Sequence, residues 1–288
     1  MRVGPARWHN IHKHRYTGAA ARGSLSVVAP LGVVASLASV GAIINRRKAV
    51  TMSALGDTLR PGAVWAVGKN YLEHIKELKG LLNIDQSIPT EPLIFLKSGS
   101  SVLAPLAADA RDTPQELPLP VHWSNDVQHE VELAVEVGPD GVPRRAAVAL
   151  DLTARDVQAA MKAKGFPWTL AKSFQAACPL GPAFSTQGVD LGKLELGITV
   201  NGQTRQRSTT DNMIFPVPTL VDFIAARFPL QEGDVVLTGT PEGVGRLVPG
   251  DKVEAWVSEP GTGRVLSRGS WICTAARPHK PKSLAPKL

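Results

Sequence analysis

The sequence contains few cysteines and few aromatic residues. Cys178 and Cys273 are the two cysteines among 288 residues, and aromatic side chains account for 5% of the chain. Both a disulfide-stapled fold and a cysteine-based zinc site are therefore disfavoured, and structural burial in a reducing compartment is expected for both thiols. The sequence alone leaves a disulfide between them open. With 26 glycines and 23 prolines, the composition indicates short strands joined by many turns.

Motifs of several common enzyme classes are also missing. No G-x-G-x-x-G segment opens a strand–helix unit, and no G-K-S/T segment exists. These absences argue against dinucleotide-binding and nucleoside-triphosphate-binding folds, whose loops need those glycines to approach phosphates. The absence of G-x-S-x-G argues against a serine hydrolase of the nucleophile-elbow type.

Acidic residues are absent from the first 56 positions, which carry eight of the 32 lysines and arginines. The remaining 24 cations nearly balance the 25 acids, so the formal net charge of +7 belongs to the N-terminal segment. A nucleic-acid-binding surface on the folded body is therefore not indicated.

Residues 1–51 have the composition of an organelle transit peptide, rich in Arg, Ala, Ser and Val. Residues 25–44 are uncharged and long enough to span a bilayer, but their proline, glycines and serines make a weak span. We expect a cleaved targeting extension, with a start at Met52 or a membrane anchor as alternatives. No stable span is expected in the mature protein, and the mitochondrial matrix is the first expectation, with plastid and cytoplasm open.

The segment between residues 52 and 277 is predicted to form one catalytic domain, followed by a loose tail over 278–288. Its many strands and few helices indicate a β-rich α+β class. The expected strands cover residues 63–68, 92–97, 102–106, 130–137, 147–152, 194–200, 203 onward, 234–239 and 252–257. The expected helices cover residues 70–78, 154–164 (capped by Asp151 or Thr153) and 219–227.

Residues 130–137 alternate apolar and mainly acidic side chains, which predicts a half-buried strand. Glu130 and Glu132 then point the same way, about 6–7 Å apart along the strand. With Asp151 from a neighbouring strand end they could form an all-oxygen site for Mg²⁺ or Mn²⁺. Glu136 lies too far along the strand to share the ion. A solvated strand face is the alternative.

His74 and Glu77 are three residues apart, so a helix places them on one face within contact. A carboxylate beside an imidazole fixes its tautomer and raises its basicity, which makes His74 a candidate base for activating water. An ordinary surface pair on a helix is the alternative.

Seven segments resemble, in order, motifs of the fumarylacetoacetate hydrolase family, and most closely its small acylpyruvate hydrolase and oxaloacetate decarboxylase members. The similarity runs from about residue 61 to 257. The segments are N-Y-L-E-H-I-K-E (70–77), F-L-K (95–97), H-E-V-E (129–132), D-L-T-A-R-D-V-Q (151–158), G-F-P-W-T-L-A-K-S-F (165–174), N-M-I-F (212–215) and L-T-G-T-P-E-G-V-G (237–245). The resemblance implies a mixed β-sandwich roll with short peripheral helices, and a homodimer.

The resemblance also implies roles for individual residues. It assigns the metal to Glu130, Glu132 and Asp151, and catalysis to His74, Glu77, Lys172 and Gln158. It further implies substrate contacts for Arg155, Thr240 and Lys97, although Arg155 is equally a candidate structural partner for Glu130 or Asp151. The helix of His74 is implied to be a lid. Gln128 departs from the family pattern, which has a second histidine there, and the loop over residues 79–90 is longer than usual.

The implied reaction is metal-assisted cleavage of the C–C bond next to the ketone of a small 2-oxo acid. Acylpyruvate hydrolysis and oxaloacetate decarboxylation both release the enolate of pyruvate, so one site can serve both. The alternatives are a metal-dependent keto–enol tautomerase of the same fold and, from another class, a non-catalytic metal-binding scaffold. No nucleic-acid partner is expected.

Overall fold

A computed structural model describes residues 56–82, 87–107 and 113–278. The predicted extension, residues 1–51 with the uncharged stretch 25–44, lies outside the described residues, as do positions 279–288 of the predicted tail. Among the residues described, no helix combines the length and hydropathy that crossing a bilayer requires.

The described residues form sixteen strands and four α-helices. The strands are β1 (Ala63–Gly68), β2 (Leu93–Ser98), β3 (Val102–Leu103), β4 (Gln115–Leu119), β5 (Val127–His129), β6 (Val131–Val137), β7 (Pro143–Leu150), β8 (Thr153–Ala154), β9 (Cys178–Pro179), β10 (Phe184–Ser185), β11 (Glu195–Val200), β12 (Gln203–Thr209), β13 (Val235–Leu237), β14 (Gly245–Arg246), β15 (Lys252–Ser258) and β16 (Val265–Ala275). The helices are α1 (Leu72–Leu82), α2 (Arg155–Ala163), α3 (Thr169–Lys172) and α4 (Val217–Ala225).

Two larger sheets pack face to face and share one hydrophobic core. The first has the order β10-β7-β6-β13-β1-β2 and the second β12-β11-β15-β16-β4, and each contains one parallel pair among antiparallel ones. Leu133 and Val135 of the first sheet belong to the same buried cluster as Ile198, Val253 and Trp271 of the second. A fully buried aliphatic side chain contributes about 1.5–3 kcal/mol, so this interface dominates stability. The expected β-rich sandwich class is confirmed.

Strand β6 lies inside the first sheet, and all seven of its residues are buried. The predicted half-buried strand is therefore wrong in one respect, because both faces are covered. Glu130 and Glu132 are 5% and 1% exposed, which rules out the solvated-face alternative. Glu136, on the same strand, is bound by Arg145 and Arg144 and is structural, as its distance along the strand suggested.

Two strands were not expected from the sequence. Strand β4 lies in a segment expected to be a loop, and β16, the longest strand, was not expected at all. In β16 the ring of Trp271 lies against Gly269, where an added Cβ would approach it to 2.0 Å.

Helix α2 begins without a side-chain cap, so the predicted capping by Asp151 or Thr153 is wrong. Both cysteines are buried and free.

Candidate active site

The register between β6 and β7 brings the three predicted metal ligands together. Val131 pairs with Leu150, and the peptide N–H of Asp151 donates to the carbonyl of Glu130 at 2.8 Å. Glu130, Glu132 and Asp151 each offer one carboxylate oxygen, and these atoms lie within 4.8 Å of one another. Antiparallel pairing thus places acids that are about 20 residues apart in sequence around one point.

Three buried cations surround these carboxylates. Lys172 Nζ donates to Glu130 Oε2 at 2.7 Å and to Asp151 Oδ2 at 2.6 Å, while the guanidinium of Arg155 binds the other oxygen of Glu130. Lys97 is fully buried, with Nζ 2.7 Å from Asp151 Oδ1. Lys97 also donates to the carbonyls of Lys172, Leu152 and Ala177. Lys97 therefore lies behind Asp151 and does not line the cavity, although the resemblance implied that it contacts the substrate.

The charges around the acids move their pKa values in opposite directions. Burial raises the pKa of Glu132 well above its usual range, and the charges of Asp151 and Glu130 add to the effect. Burial would also raise the pKa of Glu130, but Lys172 and Arg155 outweigh it and lower that pKa. Glu132 forms no ion pair with any described residue and accepts the N–H of Gly239 at 2.7 Å.

The donor set fits a hard divalent cation. All three groups are carboxylates, and hard cations such as Mg²⁺ and Mn²⁺ prefer these oxygen ligands over softer ligands. Lys97 pairs with Oδ1 of Asp151 at 2.7 Å, whereas Glu132 forms an ion pair with none of the described residues. The buried negative charge of Glu132 is therefore the one that a bound cation would compensate. Glu130, Glu132 and Asp151 would hold the ion.

His74 and Glu77 form the dyad that their spacing predicted. His74 Nδ1 lies 3.2 Å from Glu77 Oε2. Because a carboxylate only accepts, Nδ1 carries the proton and Nε2 is the basic nitrogen. Burial would raise the pKa of Glu77, but hydrogen bonds from His74 and from the N–H of Gly243 lower it. His74 is 5% exposed and lines the same cavity as the three acids, so the surface-pair alternative is excluded.

The loop after β13 holds both the acids and the dyad in place. Gly239 and Gly243 have φ values of +94° and +93°, and a Cβ would lie 2.6 Å from Asn70 and 2.0 Å from the carbonyl of Arg205, respectively. Only glycine suits both positions. Between them, the hydroxyl of Thr240 donates to Val131 O and accepts from Gln206 Nε2. Because its proton is already used, the hydroxyl of Thr240 has no hydrogen left to donate to an anionic substrate.

One cavity is lined by most of the predicted residues. Glu77 and Lys97 do not line it but contact residues that do, His74 and Asp151 respectively. The predicted residues that line the cavity are the three acids with His74, Arg155, Gln158, Lys172 and Thr240. Arg155 binds Glu130 and Gln158, as a structural partner would, and it also lines the cavity, so its contact with substrate stays a prediction. Gln128, the departure from the family pattern, accepts from Nε of Arg155 at 2.9 Å and so orients it.

Sequence reasoning missed several cavity residues. Lys162 could have been identified from the sequence, because Arg155, Gln158 and Lys162 are spaced at i, i+3 and i+7 and therefore share one face of the helix. Phe95 and Trp168 line the cavity with ring centroids 5.8 Å apart. They lie within motifs that were recognised, but their spacing in sequence does not indicate that they meet. Gln206, which supports Thr240, carries no such signal.

Comparison with known proteins identifies relatives for most of the described chain. Residues 63–268 match the sequence family described as Fumarylacetoacetate (FAA) hydrolase C-terminal. The mitochondrial oxaloacetate decarboxylase of Dictyostelium discoideum is 38% identical over 67% of this chain and 87% of that protein. The mitochondrial oxaloacetate tautomerase FAHD1 of Homo sapiens is 38% identical over 66% of this chain and 85% of that protein.

A solved structure is similar at the level of the fold and of the sequence. Fumarylpyruvate hydrolase from Pseudomonas aeruginosa, determined in complex with Mn²⁺ and pyruvate, superposes with a TM-score of 0.66. It is 29% identical, over 76% of this chain and 91% of that one.

Replacing Glu132 with Gln should abolish high-affinity binding of Mg²⁺ and Mn²⁺ while preserving the fold. The amide still accepts from Gly239 but removes one anionic ligand, so we expect affinity to fall by more than about 100-fold. Isothermal titration calorimetry measures the affinity, and thermal unfolding checks the fold. Glu116→Gln, on the exposed side of β4, is the matched control. Unchanged binding in Glu132→Gln would refute the ligand assignment.

Proposed function

Because this chain belongs to the fumarylacetoacetate hydrolase family, we propose that it is a divalent-metal-dependent enzyme that cleaves the C3–C4 bond of small 2-oxo acids. Its reactions are acylpyruvate hydrolysis and oxaloacetate decarboxylation. One observation carries the proposal, namely that the buried acids and the His74–Glu77 dyad line or border a single cavity. Mg²⁺ or Mn²⁺, when bound, supplies Lewis-acid stabilisation of the negative charge that develops on the substrate oxygens.

The chain's own residues provide positioning and proton transfer. Oε1 of Gln158 accepts from Arg155, which leaves the amide nitrogen as a donor to the substrate. The ammonium of Lys172 is held among the acids at the same wall of the cavity, where it stabilises the developing enolate. Both groups are already ordered before substrate arrives, so little reorganisation is needed during the reaction.

His74 serves as the base in the hydrolytic reaction. Its Nε2 removes a proton from water, and the hydroxide oxygen bonds to the distal carbonyl carbon of an acylpyruvate. The C–C bond then breaks, the enolate of pyruvate leaves and is protonated, and a carboxylic acid is the second product. Glu77 keeps the proton on Nδ1 and stabilises the imidazolium that forms. With oxaloacetate, CO₂ leaves and the same enolate remains.

A tautomerase is the second candidate, and the human relative named above favours it. Interconversion of the keto and enol forms of oxaloacetate passes through the enolate of oxaloacetate itself, so it breaks no C–C bond and needs no activated water. The site therefore predicts that the two activities depend differently on the dyad.

His74→Gln should lower acetylpyruvate hydrolysis by about 10²- to 10⁴-fold, because the general base is lost. Oxaloacetate tautomerisation should persist. Both are followed through enol absorbance with the whole chain, with Mg²⁺ and with EDTA. Lys76→Gln, on the same helix but in an exposed pair with Glu73, is the control. If the wild-type protein shows no metal-dependent hydrolysis or decarboxylation but tautomerises oxaloacetate, the second candidate replaces the first.

We also propose that residues 1–51 target the chain to the mitochondrial matrix, as the names of the Dictyostelium and human relatives support. A carboxy-terminal tag should appear in the matrix fraction on a shortened chain. Recovery of the tag in the cytosol or in membranes would contradict this. The predicted homodimer stays a prediction, which light scattering on the purified protein tests.

A further inference from the structure

Lys162 is a cavity cation that none of the steps above uses. It lies on α2, two turns after Arg155, and lines the cavity together with Arg155 and Gln158. Its ammonium stands over the ring of Trp168, 4.7 Å from the centroid. Nowhere in the described part of the chain does a carboxylate form an ion pair with it. In this respect Lys162 differs from Lys172, Arg155 and Lys97.

The inner cations are already neutralised by the acids. Lys172 is shared between Glu130 and Asp151, and Arg155 is bound to Glu130, Gln128 and Gln158. Lys162 has no such compensation. Burial, with repulsion from Arg155 and Lys172, lowers the pKa of Lys162 to about 8. An anion placed beside Lys162 would relieve this repulsion, and partial exclusion of water strengthens the attraction.

Two neighbouring aromatic rings, those of Phe95 and Trp168, line the cavity. Lys172 Nζ lies 4.8 Å from the centroid of Phe95, and Phe95 and Trp168 are neighbours. Lys172, next to the acids, thus lies over the ring of Phe95, and Lys162 lies over the ring of Trp168. Apolar rings with a cation over each suit a short carbon chain that carries an anionic group at both ends.

We propose that Lys162 binds the second carboxylate of a dicarboxylic 2-oxo acid, whose 2-oxo carboxylate end lies at the three acids. Lys162 is thereby a specificity-determining residue that favours such substrates over acylpyruvates ending in a neutral methyl group. This inference rests on the proposed function and names its preferred substrate class.

Oxaloacetate and 2-oxobutanoate test the inference, because they differ by one terminal group, a carboxylate in the first and a methyl in the second. In Lys162→Gln we expect the KM for oxaloacetate to rise about 10- to 100-fold, the loss expected for a hydrogen-bonded charge pair. The inhibition constant of 2-oxobutanoate and the kcat for acetylpyruvate should change less than about twofold. Lys162→Arg should restore most of the oxaloacetate KM, since the charge returns.

Lys164→Gln is the matched control, because it removes an exposed lysine near the end of the same helix. An unchanged oxaloacetate KM in Lys162→Gln, or an equal loss for both ligands, would overturn the assignment of Lys162 and leave the proposed function intact. Calorimetry with 2-oxobutanoate and the Mg²⁺-loaded wild-type chain separates the two claims. If that chain neither binds 2-oxobutanoate nor turns over oxaloacetate, the proposed function fails and this inference fails with it.

Discussion

The balance between three buried carboxylates and three buried cations is the constraint on which the rest of the site depends. A buried charge without a partner costs several kcal/mol, so each acid must be compensated where it lies. Lys172, Arg155 and Lys97 compensate Glu130 and Asp151 directly. Glu132 is left with a peptide N–H and without a charged partner among the described residues, and for this reason we propose that a divalent cation binds beside it.

The sandwich makes this arrangement possible. Because β6 is inside a sheet that is covered on both faces, Glu130 and Glu132 are held in a low-dielectric setting with fixed directions. The loop containing Gly239 and Gly243 then ties the acids to the dyad, since one glycine N–H binds Glu132 and the other binds Glu77. The proposed base and the proposed metal ligands are therefore positioned by the same few backbone groups.

The local part of the site could be predicted from sequence, and the non-local part could not. Glu130 with Glu132, and His74 with Glu77, were found because strand and helix periods fix which neighbours share a face. The full burial of β6 was missed because the face that carries Ala134 packs with Leu59, Cys178 and Leu180, which come from distant segments. Lys97 was placed in the cavity by resemblance, but carbonyls from residues far along the chain hold it behind Asp151. Helical spacing alone would have pointed to Lys162.

The central claim is that the three acids form one divalent-metal site, and a crystal of the whole chain grown with Mn²⁺ tests it most directly. Anomalous scattering locates the ion independently of any assay. The account predicts one strong peak per chain, within about 2.0–2.6 Å of an oxygen from each of Glu130, Glu132 and Asp151. A peak at another site, or none at these carboxylates with Mn²⁺ in excess, would contradict it.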